Sequence, residues 1–250
     1  MLICGLDIET LPNLFIPKEA IPQFDPSEVK TGNMGLEKAQ EKIEKVKSEF
    51  NDKLVKTMSI DPALAQLCTF VGIIYDCADE SIKSECLLQL TPEEHENNDY
   101  SIVFDAWAFI QSAYLQKIPL VSFNGIGFDL PVLLFRAMLQ DVAVSKKMYD
   151  NFVRRYQNIY HYDLMNILAN WDKTRWNKLD FYLRIFGIGT KTEGMSGDKV
   201  YPAYMAGEYQ KILDYCKDDV KSTCKLFANI QHWIYYQQEA VSEENLKKEK

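Results

Sequence analysis

The first ten residues, Met1-Leu-Ile-Cys-Gly-Leu-Asp-Ile-Glu-Thr10, form an apolar run broken by acids only at Asp7 and Glu9. Residues two apart on an extended chain point to the same face, so the pattern predicts a strand that projects Asp7 and Glu9 together while Leu6 and Ile8 pack into a sheet. Leu11-Pro12-Asn13 reads as a turn, and Pro17, Pro22 and Pro26 keep the path irregular to about residue 30. From Gly35 to Lys56 acids and lysines interleave, while Leu36, Ala39, Ile43, Val46, Phe50 and Leu54 recur at helical spacing. That combination predicts a helix whose charged face is solvated. Leu67 to Tyr75 is apolar, β-branched and aromatic and reads as a strand, with Ser84 to Leu90 as its hairpin neighbour across a polar link. The three strands come in meander order.

Thr91-Pro-Glu-Glu carries a helix-start signature, and the acidic stretch from Glu93 to Asp99 loops before a helix bearing Ile102, Phe104, Trp107, Phe109 and Ile110. Pro119 to Phe123 reads as a short buried strand. In Asn124-Gly-Ile-Gly-Phe-Asp-Leu-Pro131 two glycines permit a sharp strand-to-helix turn, and Asp129 reads as the cap of a helix running to about Gln140. Tyr160 to Leu164 reads as a strand end entering another helix. There His161 reads as a hydrogen-bonded structural histidine rather than a ligand or base, and Asp163 as a cap. Lys178 to Phe186 is an amphipathic helix ended by Gly187, and a polar loop from Gly189 to Gly197, with Lys191 in it and Lys199 beyond, is basic enough to touch phosphate. The last third is helical. In Tyr209 to Phe227, Tyr215 and Asp219 stand four apart on one face, with Val220, Cys224 and Phe227 as the inward stripe beside them. The charged segment from Glu243 to Lys250 reads as a frayed end.

Composition narrows the picture. A chain of 250 residues that is 47% hydrophobic can bury the core of one large domain. A formal charge of −8 and a pI near 5.0 argue against a pervasive basic surface for nucleic acid, though not against a local groove or an acidic cluster built for cations that bridge to phosphate. The six cysteines are scattered without zinc-ligand spacing, so reduced thiols are expected. The N-terminus lacks a basic leader, Asp7 and Glu9 interrupt its apolar run, and no stretch reaches the roughly 18 apolar residues of a membrane span. The expectation is a cytoplasmic protein that does not enter the membrane.

Candidate chemistry centres on the acids. Two carboxylates side by side repel, and near a core such a pair is tolerated when a cation compensates it; oxygen ligands suit Mg2+ or Mn2+. A lone D-x-E triplet arises by chance about once in a chain this long, so its weight comes from its company. D-x-E on an N-terminal strand, N-G-x-x-F-D at a strand-to-helix turn and Y-x-x-x-D on a late helix together resemble the three exonuclease motifs of the DEDD superfamily. The tyrosine four residues before Asp219 resembles the tyrosine subtype, because the histidine subtype needs a histidine at position 214, which is Asp214 here. Within it, Asp7 to Pro12, Phe123 to Pro131 and Asp214 to Val220 resemble the predicted stand-alone 3'-5' exonucleases similar to the proofreading domain of family B DNA polymerases.

The resemblance implies an α/β protein of ribonuclease H-like fold: a mixed sheet with the first three strands antiparallel and helices on both faces. It implies one exonuclease domain over residues 1–250, with a charged helical insertion at about 29–56 that the family pattern does not supply. It implies 3'-5' hydrolysis of single-stranded nucleic acid, DNA before RNA, releasing nucleoside monophosphates with two divalent ions, Mg2+ or Mn2+. Asp7, Glu9, Asp129 and Asp219 would hold the metals, with Asp218 as the rival of Asp219, and the Tyr215 hydroxyl would position the attacking water. Asn124 and Phe128 would line the 3'-terminal nucleotide, and Leu11 would wedge against its base. The chain has no polymerase, helicase or ATPase motif, so coupling to replication or repair would run through partner proteins. The competing reading is a catalytically silent nucleic-acid binding module of the same fold, whose signature would be a lost carboxylate.

Overall fold

The computed structural model describes residues 1–13, 16–91, 98–155, 160–189 and 195–248, with backbone alone from 235 onward. Strand β1 (Leu2–Pro12) is the spine of a sheet ordered β3-β2-β1-β4-β5. It pairs antiparallel with β2 (Ala65–Asp76), which pairs antiparallel with β3 (Ser81–Gln89). On its other side it pairs parallel with β4 (Leu120–Ser122), which pairs parallel with β5 (His161–Asp163). The three expected meander strands are therefore present, in a mixed sheet. Among the described residues no helix is long and apolar enough to cross a membrane.

Alternation along β1 divides the protein into two layers. Cys4, Leu6, Ile8 and Leu11 enter one core, beneath α2 (Tyr100–Leu115), α3 (Asp129–Leu139) and α6 (Gly197–Met205). Ile3 enters the other core, built with α5 (Leu179–Ile185) and the long α7 (Tyr209–Lys248), where Val220, Cys224 and Phe227 point inward as the stripe predicted, joined by Cys216. Gly5 is the point of closest approach: a Cβ there would strike Cys224 Sγ and come within 2.9 Å of Val220 Cγ1. Only a residue without a side chain lets α7 lie this near β1. That contact brings the carboxyl end of β1 beside the middle of α7.

Several expectations are corrected. The turn at residues 11–13 is still strand: β1 runs to Pro12, and the Asn13 amide donates to Leu64 O at 2.8 Å. The proline is accommodated next to a bulge, where the register steps from Glu9 opposite Thr69 to Thr10 opposite Leu67 and leaves Cys68 unpaired. The bulge is clamped from outside, since the Leu67 amide donates to Asp99 Oδ2 at 2.7 Å and buried Arg136 on α3 pairs with the same carboxylate. The helix start read at Thr91 to Glu94 falls largely on residues outside those described. Helix α7 continues to Lys248 instead of fraying at Glu243. The charged helix is α1 (Leu36–Ile60), whose face is solvated as expected; Met58 is its buried residue, near where Ser59 O accepts the Thr10 hydroxyl.

Candidate active site

The site begins where β1 meets α7. Asp7 and Glu9 lie on one face of β1, and their carboxylate oxygens lie within 4.8 Å of each other and of Cys216 Sγ on α7. The Cys216 thiol donates to Asp7 Oδ2 at 3.6 Å. One turn further along α7 stands Asp219, whose carboxylate accepts a hydrogen bond from the Tyr215 hydroxyl. Asp219 borders the same cavity as Asp7 and Tyr215, whereas Asp218, the rival, is not on its wall.

Asp129 arrives from the other layer. The 124–128 turn that delivers it is held by Asp163, whose carboxylate accepts the amides of Asn124 and Ile126, each at 3.0 Å, as well as Asn166 N at 3.3 Å at the start of α4 (Leu164–Leu168). Asp163 thus caps its helix as expected and also fixes the turn. His161 is structural, its ring nitrogens bonded to Ser122 Oγ at 2.7 Å and Phe152 O at 2.8 Å. The left-handed residue of the turn is Asn124, with φ 73°, rather than either glycine. Gly125 serves close packing instead, because a Cβ there would strike Ser122 Oγ. Asp129 is not the cap of α3 but its first residue. Its carboxylate turns across to β1, where Oδ1 accepts the Ile8 amide at 3.1 Å, and it hydrogen-bonds with Asp7.

The electrostatics follow from this crowding. Enclosure by protein pushes Asp7 well above the usual carboxylate range, and the charges of Asp129, Glu9 and Asp219 push it further. Burial raises Asp129, 3% exposed, to about 7, with the hydrogen bond from Asp7 acting against that rise. In the absence of a cation, burial and mutual repulsion therefore favour the protonated form of both acids more than in an exposed carboxylate. Burial first, then Asp219, Glu9 and Asp7, pushes the Tyr215 phenol far up, so it remains a neutral hydroxyl across the physiological range. Neither Asp7 nor Asp129 has a lysine or arginine partner among the described residues. A set of hard oxygen donors holding surplus negative charge fits a divalent cation and no other common group.

The adjoining cavity, about 630 Å3, is lined by Asp7, Asn124, Tyr215 and Asp219 on the acidic side, and by Phe123, Trp176 and Lys178 among others. Of the residues singled out in the sequence, Glu9 and Asp129 are off the cavity wall but adjoin Asp7. Leu11 and Phe128 are not on the wall. Leu11, 1% exposed, belongs to the core, whereas Phe128, half-buried, packs against that core as the cap of α3. Cys216 went unnoticed because cysteines were weighed for zinc spacing alone. Its position three residues before Asp219, on the same helical face, was the available signal. Trp176 and Lys178 carried no such mark. Lys191 of the expected basic loop lies outside the described residues, but Met195, Ser196 and Gly197 at the loop's end do reach the cavity.

Comparison with known proteins adds the family. A family of predicted 3'-5' exonucleases related to the exonuclease domain of PolB matches residues 64–249. The chain belongs to this family. The exonuclease family assignment brings with it dependence on a divalent metal, which the acidic cluster suits. The matched span of this 3'-5' exonuclease family includes Asp129, Tyr215 and Asp219 but begins after β1, so it is the fold that joins Asp7 and Glu9 to them. No curated protein matches the sequence. Among solved structures, exonuclease I, in a study of how its processivity is achieved, is 16% identical over 70% of this chain and 39% of that one, with a TM-score of 0.39. E. coli exonuclease I in complex with a 5cy-dA13 oligonucleotide is likewise 16% identical over 70% of this chain and 38% of the other, at 0.38. This chain spans less than half of either.

Proposed function

We propose that this 3'-5' exonuclease removes nucleoside monophosphates from the 3' end of single-stranded nucleic acid, DNA before RNA, with two divalent ions, Mg2+ or Mn2+. The reading treats residues 1–250 as one exonuclease domain, since β1 supplies half of the acids. The observation that carries it is the convergence of Asp7, Glu9, Asp129, Tyr215 and Asp219, from three separate elements, beside a cavity wide enough for one nucleotide.

Asp7, Glu9, Asp129 and Asp219 would hold the ions. When bound, they make water a better nucleophile and offset charge on the scissile phosphate and the leaving 3' oxygen. Tyr215, kept protonated by its surroundings, acts as a hydrogen-bond partner and not as a base. Anchored to Asp219, its hydroxyl orients the attacking water, an alignment realised in the transition state. Asn124 faces the cavity and contacts the terminal nucleotide. With ions held by these four acids, the negative charge of the wall would be offset and a phosphodiester could approach a protein of net negative charge.

Digestion of 5'-labelled single strands, duplexes and RNA with Mg2+, Mn2+ or chelator tests the proposal. A metal-dependent ladder of shortened single strands is expected. Immediate release of the 5' label as a mononucleotide would reverse the polarity and sink the reading.

A further inference from the structure

The lining of the cavity also includes an aromatic and a basic residue, Trp176 and Lys178, that no step above uses. Trp176 lies between a turn at Lys173–Arg175 and α5, and it borders two spaces at once. Lys173 borders the small one with it and holds its Nζ 5.3 Å from the centre of the indole, but it does not border the catalytic cavity. Lys173 thus covers one side of the ring, and Trp176 itself also borders the catalytic cavity. The indole N–H is buried without a partner. A buried tryptophan is ordinarily tied into the fold through that hydrogen. Here the fold makes no use of it, and the ring is held by packing and by Lys173. Two residues on, exposed Lys178 borders the same cavity and has no ion-pair partner among the described residues, whereas neighbouring Asp180 is engaged by Arg184 at 2.7 Å.

We propose that Trp176 is the stacking platform for a nucleobase of the strand whose terminal phosphodiester lies at the carboxylates, and that Lys178 receives a phosphate of that strand. The inference rests on the exonuclease reading and deepens it by assigning the positioning of substrate to this wall. A flat π-face recognises any base, which suits removal of nucleotides in succession without regard to sequence, and an unpaired ammonium beside it supplies a salt-sensitive contact to the backbone. Neither residue touches the reacting atoms. Both act on binding and leave the chemical step alone.

Steady-state cleavage of a single-stranded oligodeoxythymidylate in Mn2+ by the full chain separates these roles. Trp176→Ala should raise KM by about 5- to 150-fold, the range for one lost stacked base, with kcat within threefold of the parent. Trp176→Phe, which keeps a π-face, should stay within about threefold in KM. Lys178→Ala should raise KM less and flatten its dependence on salt. Tryptophan emission gives a second readout: the oligonucleotide in chelator should quench the parent protein, and Trp176→Phe should abolish most of that quench while still binding the strand. The fluorescence arm stands even where Trp176→Ala melts below the assay temperature, because full quenching retained in Trp176→Phe overturns the proposal. So does a Trp176→Ala protein that is folded and unchanged in KM, or one that loses kcat with no rescue by phenylalanine, which would mark the ring as structural. In those cases the parent still cleaves, and the exonuclease reading survives. A parent protein that neither cleaves nor is quenched by any strand removes both.

Discussion

Replacing Asp129 with Asn would test the electrostatics of the site while leaving its shape alone. Burial lifts this carboxyl from 3.8 to about 7, and Asp7 beside it is lifted as well. A folded-state value above the unfolded one means that stability is fully present below about pH 4 and is lost as the pH rises through the folded value. The metal-free protein should therefore weaken between about pH 4 and pH 7. The rise to about 7 corresponds to about 4 kcal/mol, and water entry and relaxation bring the working range to about 2–4 kcal/mol. Asparagine retains an oxygen for the Ile8 amide, now 3.1 Å from Oδ1, and its NH2 can donate to Asp7 across the contact that the two carboxyls make. At pH 8 in chelator Asp129→Asn should melt roughly 5–15 °C above the parent, and its Tm should fall less steeply from about pH 4 to pH 7. In Mn2+ the order should narrow or reverse, because the parent gains a cation that the variant holds poorly. Calorimetric melts over this pH range, with and without Mn2+, provide the measurement. A variant that melts at or below the parent at pH 8 in chelator, with the same pH slope, would refute the argument that repulsion among these acids is the cost that a cation relieves.

Tyr215→Phe should lower kcat by one to three orders of magnitude, about 1.4–4 kcal/mol, with KM and metal affinity little changed; full recovery at high Mn2+ would assign the tyrosine to the metals and not to the water. Asp219→Asn should instead weaken metal affinity, so a Mn2+ titration should recover part of its rate. Gly5→Ala should cost about 1–3 kcal/mol by overpacking against Val220 and Cys224, and should reduce cleavage as well because α7 carries Tyr215 and Asp219; a variant with parental Tm and rate would mean that α7 shifts freely. Asp99→Ala should cost about 3–5 kcal/mol, read by urea denaturation, since it strands buried Arg136 and frees the bulge of β2.

Period and spacing made much of this protein legible. Alternation in Met1 to Thr10 placed Asp7 and Glu9 on one face, and the four-residue step from Tyr215 to Asp219 placed those side chains together, because strand and helix geometry fix such relations within one element. The charged register of α1 and the glycine-rich turn before α3 were local in the same sense. What lay between elements was not written in any window of the chain. Asp129 reads as a cap by its neighbours, yet its carboxylate is taken by the Ile8 amide 121 positions away, an acceptor relation that exists only once β1 and α3 pack. Leu11 follows the acids closely enough to suggest a wedge, but the bulge after Glu9 and the extension of β1 to Pro12 turn it into the core. Gly5 looks like any glycine in a strand until α7 is laid across it. Cys216, Trp176 and Lys178 belong to the site because two layers of helices close on the sheet from opposite faces, and the distances across that closure are set by packing, which a linear pattern does not encode.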